Sequence, residues 1–160
     1  MIISRNSVKV LELKIPPIVL VAIVAACMWA VSRIWPSLSF TILGATWLSS
    51  GIAVVGVCII LLGILEFISV GTTMDPRVPD RSTSLVVRGI YRHSRNPMYV
   101  GFLLVLCAWG LYLSSALSLL FLPVFIAYMN RFQIIPEERY MRDKFAEEYT
   151  KYTSEVRRWV

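Results

Sequence analysis

The sequence predicts an all-α integral membrane protein of about four transmembrane helices, and three observations carry that prediction. Hydrophobic residues make up 57% of the 160-residue chain and charged residues only 16%, where a soluble domain has nearly half and about a quarter. The apolar residues come in long blocks rather than one-sided helical stripes, with a mean hydropathy of +0.68. That is the pattern of segments that meet lipid on most faces. The cations gather in some of the intervening segments and are absent from others. A formal net charge of +6 is therefore read as the excess cation content of cytoplasmic loops, not as a nucleic-acid surface.

Residues 1–15 form a short cationic lead-in, with Arg5, Lys9 and Lys14 among Val8, Leu11 and Leu13. The first apolar block covers residues 16–35. Arg33 near its far end can snorkel to the headgroups, and Trp29 and Trp35 suit an interfacial belt. Val24-Ala25-Ala26-Cys27 resembles a lipoprotein cleavage site, but the residues after it stay apolar, so an uncleaved helix is expected. Pro36-Ser37-Leu38-Ser39 is an uncharged turn. The second block, residues 41–65, is long enough to span with tilt. Its glycines at 44, 51, 56 and 63 would admit a close neighbour, and Glu66 ends it as a solvated interfacial residue.

Residues 69–97 are the longest polar segment. They bear Arg77, Arg81, Arg88, Arg92 and Arg95 against Asp75 and Asp80, and Pro76 and Pro79 oppose continuous helix. The third and fourth blocks, residues 98–113 and 116–132, are separated only by Ser114-Ser115, so an antiparallel hairpin is expected, with Pro123 bending its second arm. The tail, residues 136–160, reads as an amphipathic helix on the membrane or over a site. Pro136 stands in its first turn, and Glu137 and Glu138 lie at the positive end of its dipole. Met141, Phe145, Tyr149, Tyr152 and Val156 fall on one stripe. Cys27, Cys58 and Cys107 sit in apolar runs with no pairing or ligand spacing and are read as packing residues; no metal site is expected.

The lead-in, the 69–97 loop and the tail are basic, whereas the turns at 36–40 and 114–115 carry no charge. A multi-pass, four-span arrangement with both termini in the cytoplasm satisfies this distribution. The expected membrane is a bacterial-type inner membrane, or otherwise the endoplasmic reticulum. A hairpin returns the chain to its starting side, so Asn96-Pro97-Met98-Tyr99 and Pro136-Glu137-Glu138 should share one membrane surface.

The densest polar chemistry lies in Gly89-Ile90-Tyr91-Arg92-His93-Ser94-Arg95-Asn96-Pro97-Met98-Tyr99. Taken with Leu85-Val86-Val87-Arg88, with Glu137-Glu138 and with Phe145-Ala146-Glu147-Glu148-Tyr149-Thr150-Lys151-Tyr152, it resembles the isoprenylcysteine carboxyl methyltransferase family. The broader group of that family includes the phospholipid N-methyltransferases. The resemblance covers about residues 72–158, and its specificity lies in the order and spacing of common pieces. It implies a membrane enzyme that uses S-adenosylmethionine near the cytoplasmic face without a Rossmann domain. It divides the chain into a two-helix part, residues 1–68, and a cofactor-binding core, residues 69–160. By position, Thr83, Ser84, Leu85, Val86 and Tyr91 would line the cofactor. Asn96, Pro97, Met98 and Tyr99 would occupy the family's His-Pro-x-Tyr element, and Glu137 its cofactor-binding carboxylate. Asn96 departs from the histidine of the isoprenylcysteine enzymes; it can hydrogen-bond but cannot titrate, which tilts the acceptor away from prenylated protein.

Methyl transfer from a sulfonium is a direct displacement that depends on alignment and exclusion of water. Glu137 can hold cofactor hydroxyl or ammonium groups, and Tyr91 and Tyr99 can flank the adenine or the sulfonium. Arg95 or Arg131 can orient an anionic headgroup or substrate carboxylate, and Glu138 or His93 would be the base if the acceptor is an amine. The expected activity is methylation of a lipophilic acceptor: a lipid, a prenylated acceptor or a small hydrophobic acid or thiol, with a phospholipid amine as the alternative. The rival of a different class is a non-catalytic membrane subunit whose basic loops bind a partner or anionic lipid. Membrane lipids are the expected surroundings.

Overall fold

The computed structural model describes residues 12–71 and 85–160, and within them the chain is helical with no strand. Arg5, Lys9, the prolines and charges at 75–81, and Thr83 and Ser84 lie outside the described residues. Helix α1, Pro17–Ile34, starts on a proline whose missing N–H falls where no helical partner exists. Its buried face is Leu20, Val21, Val24 and Met28, while Ile18, Val19, Ile23 and Trp29 are exposed. A single 3-10 turn, Pro36–Leu38, follows.

Helix α2, Ala45–Val70, begins four residues later than the apolar block and runs five residues past it. Left-handed Gly44 and Gly71 bound it, a conformation that glycine adopts without steric cost. Only Ser49, Gly56 and Gly63 are buried on it, a narrow seven-residue stripe facing one neighbour. Much of the rest, including Val54, Val55, Val57, Leu61, Leu62 and Leu65, is apolar and exposed, as suits contact with lipid.

That neighbour is α3, Pro97–Leu113. A Cβ on Gly56 would stand 2.9 Å from the Gly101 carbonyl, and one on Gly101 would stand 2.7 Å from the Gly56 carbonyl. The two backbones therefore pass at a distance only glycine permits. Gly63 serves likewise, since its Cβ would meet Met98 Cγ at 2.6 Å. Gly44 and Gly51, expected from sequence to act the same way, have nothing within 4 Å. They lie off the buried stripe, so the close approach belongs to two glycines of the four.

Ser114 is left-handed (φ 50°) and ends α3. A four-residue helix α4, Ala116–Leu119, and then α5, Phe121–Met129, return the chain as a hairpin. The interruption falls at Leu120, just ahead of Pro123, whose ring leaves the Leu119 carbonyl without a helical donor. The two uncharged turns meet: Ser39 pairs with Ser115 in an isolated antiparallel bridge, and Phe40 N–H donates to the Ser114 carbonyl at 2.9 Å. Buried polar ties run from the hairpin to α1. Ser118 Oγ donates to the Met28 carbonyl at 2.8 Å, and Trp109 Nε1 donates to the Ala25 carbonyl at 3.0 Å. The core is Leu20, Val24 and Met28 of α1 against Tyr99, Leu106, Phe125, Met129 and Ile134.

The tail helix does not start at Pro136. A π-helical turn, Asn130–Ile134, joins α5 without a break to α6, Ile135–Glu155. The wider turn absorbs a proline that offers no N–H to the preceding carbonyls. The Phe132 carbonyl accepts instead from the Leu13 N–H at 3.0 Å, so the chain at Leu13 is docked on this turn. Nor is α6 one straight amphipathic rod. Ala146 has φ 35° and ψ −105°, and the chain leaves the helix after Glu155, so the five-residue stripe is interrupted. Of that stripe Tyr149 and Tyr152 are buried.

Three helices, Pro17–Ile34, Ala45–Val70 and the run Ala116–Glu155, are long and apolar enough to cross a membrane. Pro97–Leu113 is apolar but shorter. In the third run the apolar part ends before Pro136; α6 is charged throughout and lies outside it.

Candidate functional site

The site is built where the start of α3 meets the start of α6. Before α3, the chain makes a 3-10 turn, Gly89–Arg92, entered through Gly89 at φ 57°. That glycine is required for space as well as backbone, because a Cβ there would overlap the Glu66 carboxylate. Glu66 lies at the end of α2 and pairs with Arg88 Nε at 3.1 Å. It is thus a cross-link between helix and loop, not the solvated residue expected. The turn points Tyr91 inward to 5% exposure, with Phe67 edge-on at 5.5 Å between ring centroids. The Tyr91 carbonyl accepts from Tyr152 Oη at 2.7 Å, but its own hydroxyl is buried without a partner among the described residues. Burial first, then Tyr152, Glu137 and Glu66, pushes this phenol far above its ordinary pKa, so it is a neutral donor.

Asn96 caps α3 by position without a side-chain bond to the helix. Its backbone N–H donates to Ser94 Oγ at 3.1 Å, and its Nδ2 donates to the Arg158 carbonyl at 2.9 Å. One turn on, Tyr99 is buried and its hydroxyl donates to Glu137 Oε1 at 2.7 Å. This bond joins the two chemically rich regions across 38 residues, as the hairpin required.

The two adjacent carboxylates have opposite surroundings. Glu138 is held by Arg158 through Nε and Nη2, at 2.9 and 2.7 Å, and by Arg95 Nη2 at 3.3 Å. Its side chain is 12% exposed and that of Arg95 14%, so this is a largely desolvated, charge-assisted cluster. Glu137 meets a phenol and, among the described residues, no cation. Burial raises its carboxyl, the Tyr99 bond lowers it and Glu138 raises it again, to about 7. A buried carboxylate without a counter-charge favours a ligand that brings one.

The remaining sequence-predicted residues are distributed as follows. Pro97 is fully buried at the first position of α3, Met98 packs against Gly63, and Val86 is buried with Leu85 half-buried beside it. His93 and Arg92 are exposed. Arg131 is not joined to the Glu137 cluster; it pairs with Glu12 of the lead-in at 2.9 Å, and Arg139 meets the same carboxylate at 3.6 Å. Arg158, Trp159 and Ser94 were missed from sequence. No local signal marks them, because each acts through a backbone group or a partner distant in the chain.

Among the described residues, the Tyr91 hydroxyl and Arg95 Nε are buried without a hydrogen-bond partner and Glu137 meets no cation, which leaves a donor, a cationic donor and an anion near the start of α3 and the start of α6. That set fits a ligand bearing hydroxyl, carboxylate and cationic groups at once.

Comparison with known proteins identifies a family. The family model described as phospholipid methyltransferase matches residues 44–148, more than half of the chain. A protein of Haemophilus influenzae described as uncharacterized is 46% identical over 63 residues, which is all of that protein and 39% of this chain. No solved structure matches. With helices apolar enough for a membrane and the Asn96–Tyr99 corner and Glu137 both inside the matched span, the chain belongs to the phospholipid methyltransferase family.

Proposed function

We propose that the protein is a multi-pass membrane methyltransferase that uses S-adenosylmethionine and methylates a lipophilic acceptor entering from the bilayer. The observation that carries the reading is Glu137, a buried carboxylate oriented by Tyr99 and, among the described residues, lacking a protein cation. S-adenosylmethionine, when bound, supplies a methyl group on a sulfonium. Glu137 then offers the anion for the donor's ammonium or hydroxyls, and Tyr99 keeps that anion in place. Tyr91 contributes a neutral hydroxyl and an aromatic face. Arg95, through its free Nε, receives an anionic group of donor or acceptor. Glu138 can take a proton only by exchanging a guanidinium for the acceptor, since both its oxygens are already engaged. The other residues expected from sequence, Leu85, Val86, Asn96, Pro97 and Met98, form the wall and corner; Arg131 holds Glu12. The four-span topology, with the basic segments cytoplasmic, completes the reading; in its support the uncharged turns pair with each other, and among the described residues Arg95 and Arg158 gather on Glu138 and Arg131 and Arg139 on Glu12.

For the acceptor, the family description and Asn96 favour a phospholipid amine over an isoprenylcysteine carboxylate. The test is saturable binding of S-adenosylhomocysteine to purified protein in detergent, with tritiated methyl then traced into lipid, protein or small-molecule extracts. Label in aminophospholipid supports the phospholipid reading; label in protein or small acids redirects it. Absence of binding by folded protein overturns the enzyme reading in favour of a non-catalytic subunit.

A further inference from the structure

The five residues after α6 make contacts that a solvated tail would not make. Val156 is extended, with φ −121° and ψ 134°, and the chain beyond it crosses back over the site. The Arg157 carbonyl accepts from the Arg95 N–H at 2.9 Å, and the Arg158 carbonyl accepts from Asn96 Nδ2 at 2.9 Å. The Arg158 guanidinium grips Glu138 with two prongs. Trp159 Nε1 donates to Asn130 Oδ1 at 3.1 Å, where the π-helical turn begins. One short segment thus ties the corner before α3, the acidic start of α6 and the turn between α5 and α6.

These contacts set orientations, not only positions. A carbonyl can be met only by the amide NH2 of Asn96, so the amide is turned one way, with Oδ1 left as its acceptor. A forked guanidinium fixes the plane of a carboxylate, which a lysine ammonium does not. Arg95 then meets a Glu138 oxygen whose direction is already set, at 3.3 Å.

We propose that residues 156–160 are part of the site and that Arg158 is a positioning residue. Its carbonyl fixes which end of the Asn96 amide it meets, leaving Oδ1 as the acceptor a bound methyl donor could use, and its side chain holds Glu138 and, through it, Arg95. The proposal rests on the methyltransferase reading and adds to it a residue that touches neither substrate.

The test compares wild type, Arg158→Lys and Arg158→Ala in one detergent. It reads kcat and KM for the methyl donor per folded protein, and amide hydrogen exchange at residues 94–96, which needs no cofactor. Arg158→Ala is expected to lower kcat about 10- to 100-fold with KM changed little, as misplacement of a reacting group does. Arg158→Lys, which keeps the charge and loses the fork, should fall between. Glu138→Gln added to Arg158→Ala should cost little more, because the pair acts as a unit. Exchange at Arg95 and Asn96 should quicken in Arg158→Ala. A wild-type kcat in folded Arg158→Ala, or unaltered exchange at 94–96, overturns the proposal. If wild type neither binds nor transfers, the methyltransferase reading fails instead, and the exchange result alone decides whether the segment holds the corner.

Discussion

Replacing Glu137 with glutamine isolates the charge on which the functional reading turns. The substitution keeps the shape and leaves a carbonyl oxygen to accept from Tyr99, whose hydroxyl lies 2.7 Å from Glu137 Oε1. What is lost is the anion facing a cationic ligand. The hydrogen bond of a charged group is worth about 1.5–3 kcal/mol net, which corresponds to roughly 10- to 150-fold in affinity. The assay is calorimetric or dialysis binding of S-adenosylhomocysteine to detergent-purified protein at pH 8, where the carboxyl is ionised. The sign of the pH dependence is defined as well. The free carboxyl is raised to about 7, and a bound cation favours its ionised form. Wild-type affinity should therefore climb as pH rises toward 7 and level off above it, while Glu137→Gln shows little change across this interval. In the ligand-free protein the same raised carboxyl favours folding at low pH, and that contribution disappears as pH rises through about 7. Twofold or smaller loss of affinity in folded Glu137→Gln, or a wild-type affinity that declines from pH 6 to pH 8, would refute the reasoning.

Gly101→Ala places a Cβ 2.5 Å from Ile60 Cγ1 and 2.7 Å from the Gly56 carbonyl; overpacking of this kind costs about 1–3 kcal/mol, read as a lower unfolding midpoint in detergent. Gly51→Ala, with nothing within 4 Å, should be neutral or gain up to about 1 kcal/mol from helix propensity, and an equal loss in both variants would sink the account of α2–α3 packing. Arg88→Ala should cost below about 1 kcal/mol, since its pair with Glu66 is half exposed; thermal unfolding of the variant measures this. Cysteines placed at Ser37 and His93, in a background without the native three, should label from opposite sides of sealed vesicles. Labelling from one side would remove the four-span arrangement.

Much of the architecture is local and therefore readable. The apolar blocks, the serine turn at 114–115 and the separation of basic from uncharged segments depend on residue type and length alone, and the hairpin that joins Tyr99 to Glu137 follows from them. The boundaries were less legible. Pro136 looks like a helix start, but the widened turn before it and the Leu13 N–H together accommodate it inside a continuous run. The interruption at Ala146 has no local cue, as alanine is the strongest helix former.

What the residues by themselves determined is that this chain seeks lipid, folds back in a hairpin, and brings Asn96-Pro97 and Glu137-Glu138 to one rim. Which charges neutralise one another was decided only in three dimensions. Glu138 is matched by Arg95 and Arg158, Glu12 by Arg131 and Arg139, and Glu66 by Arg88. Glu137, adjacent to Glu138 in the chain, meets only Tyr99 among the described residues. The reason is that neighbours on a helix point in different directions, so the same residue type can face a guanidinium or a phenol. Only the packing of distant segments selects between them.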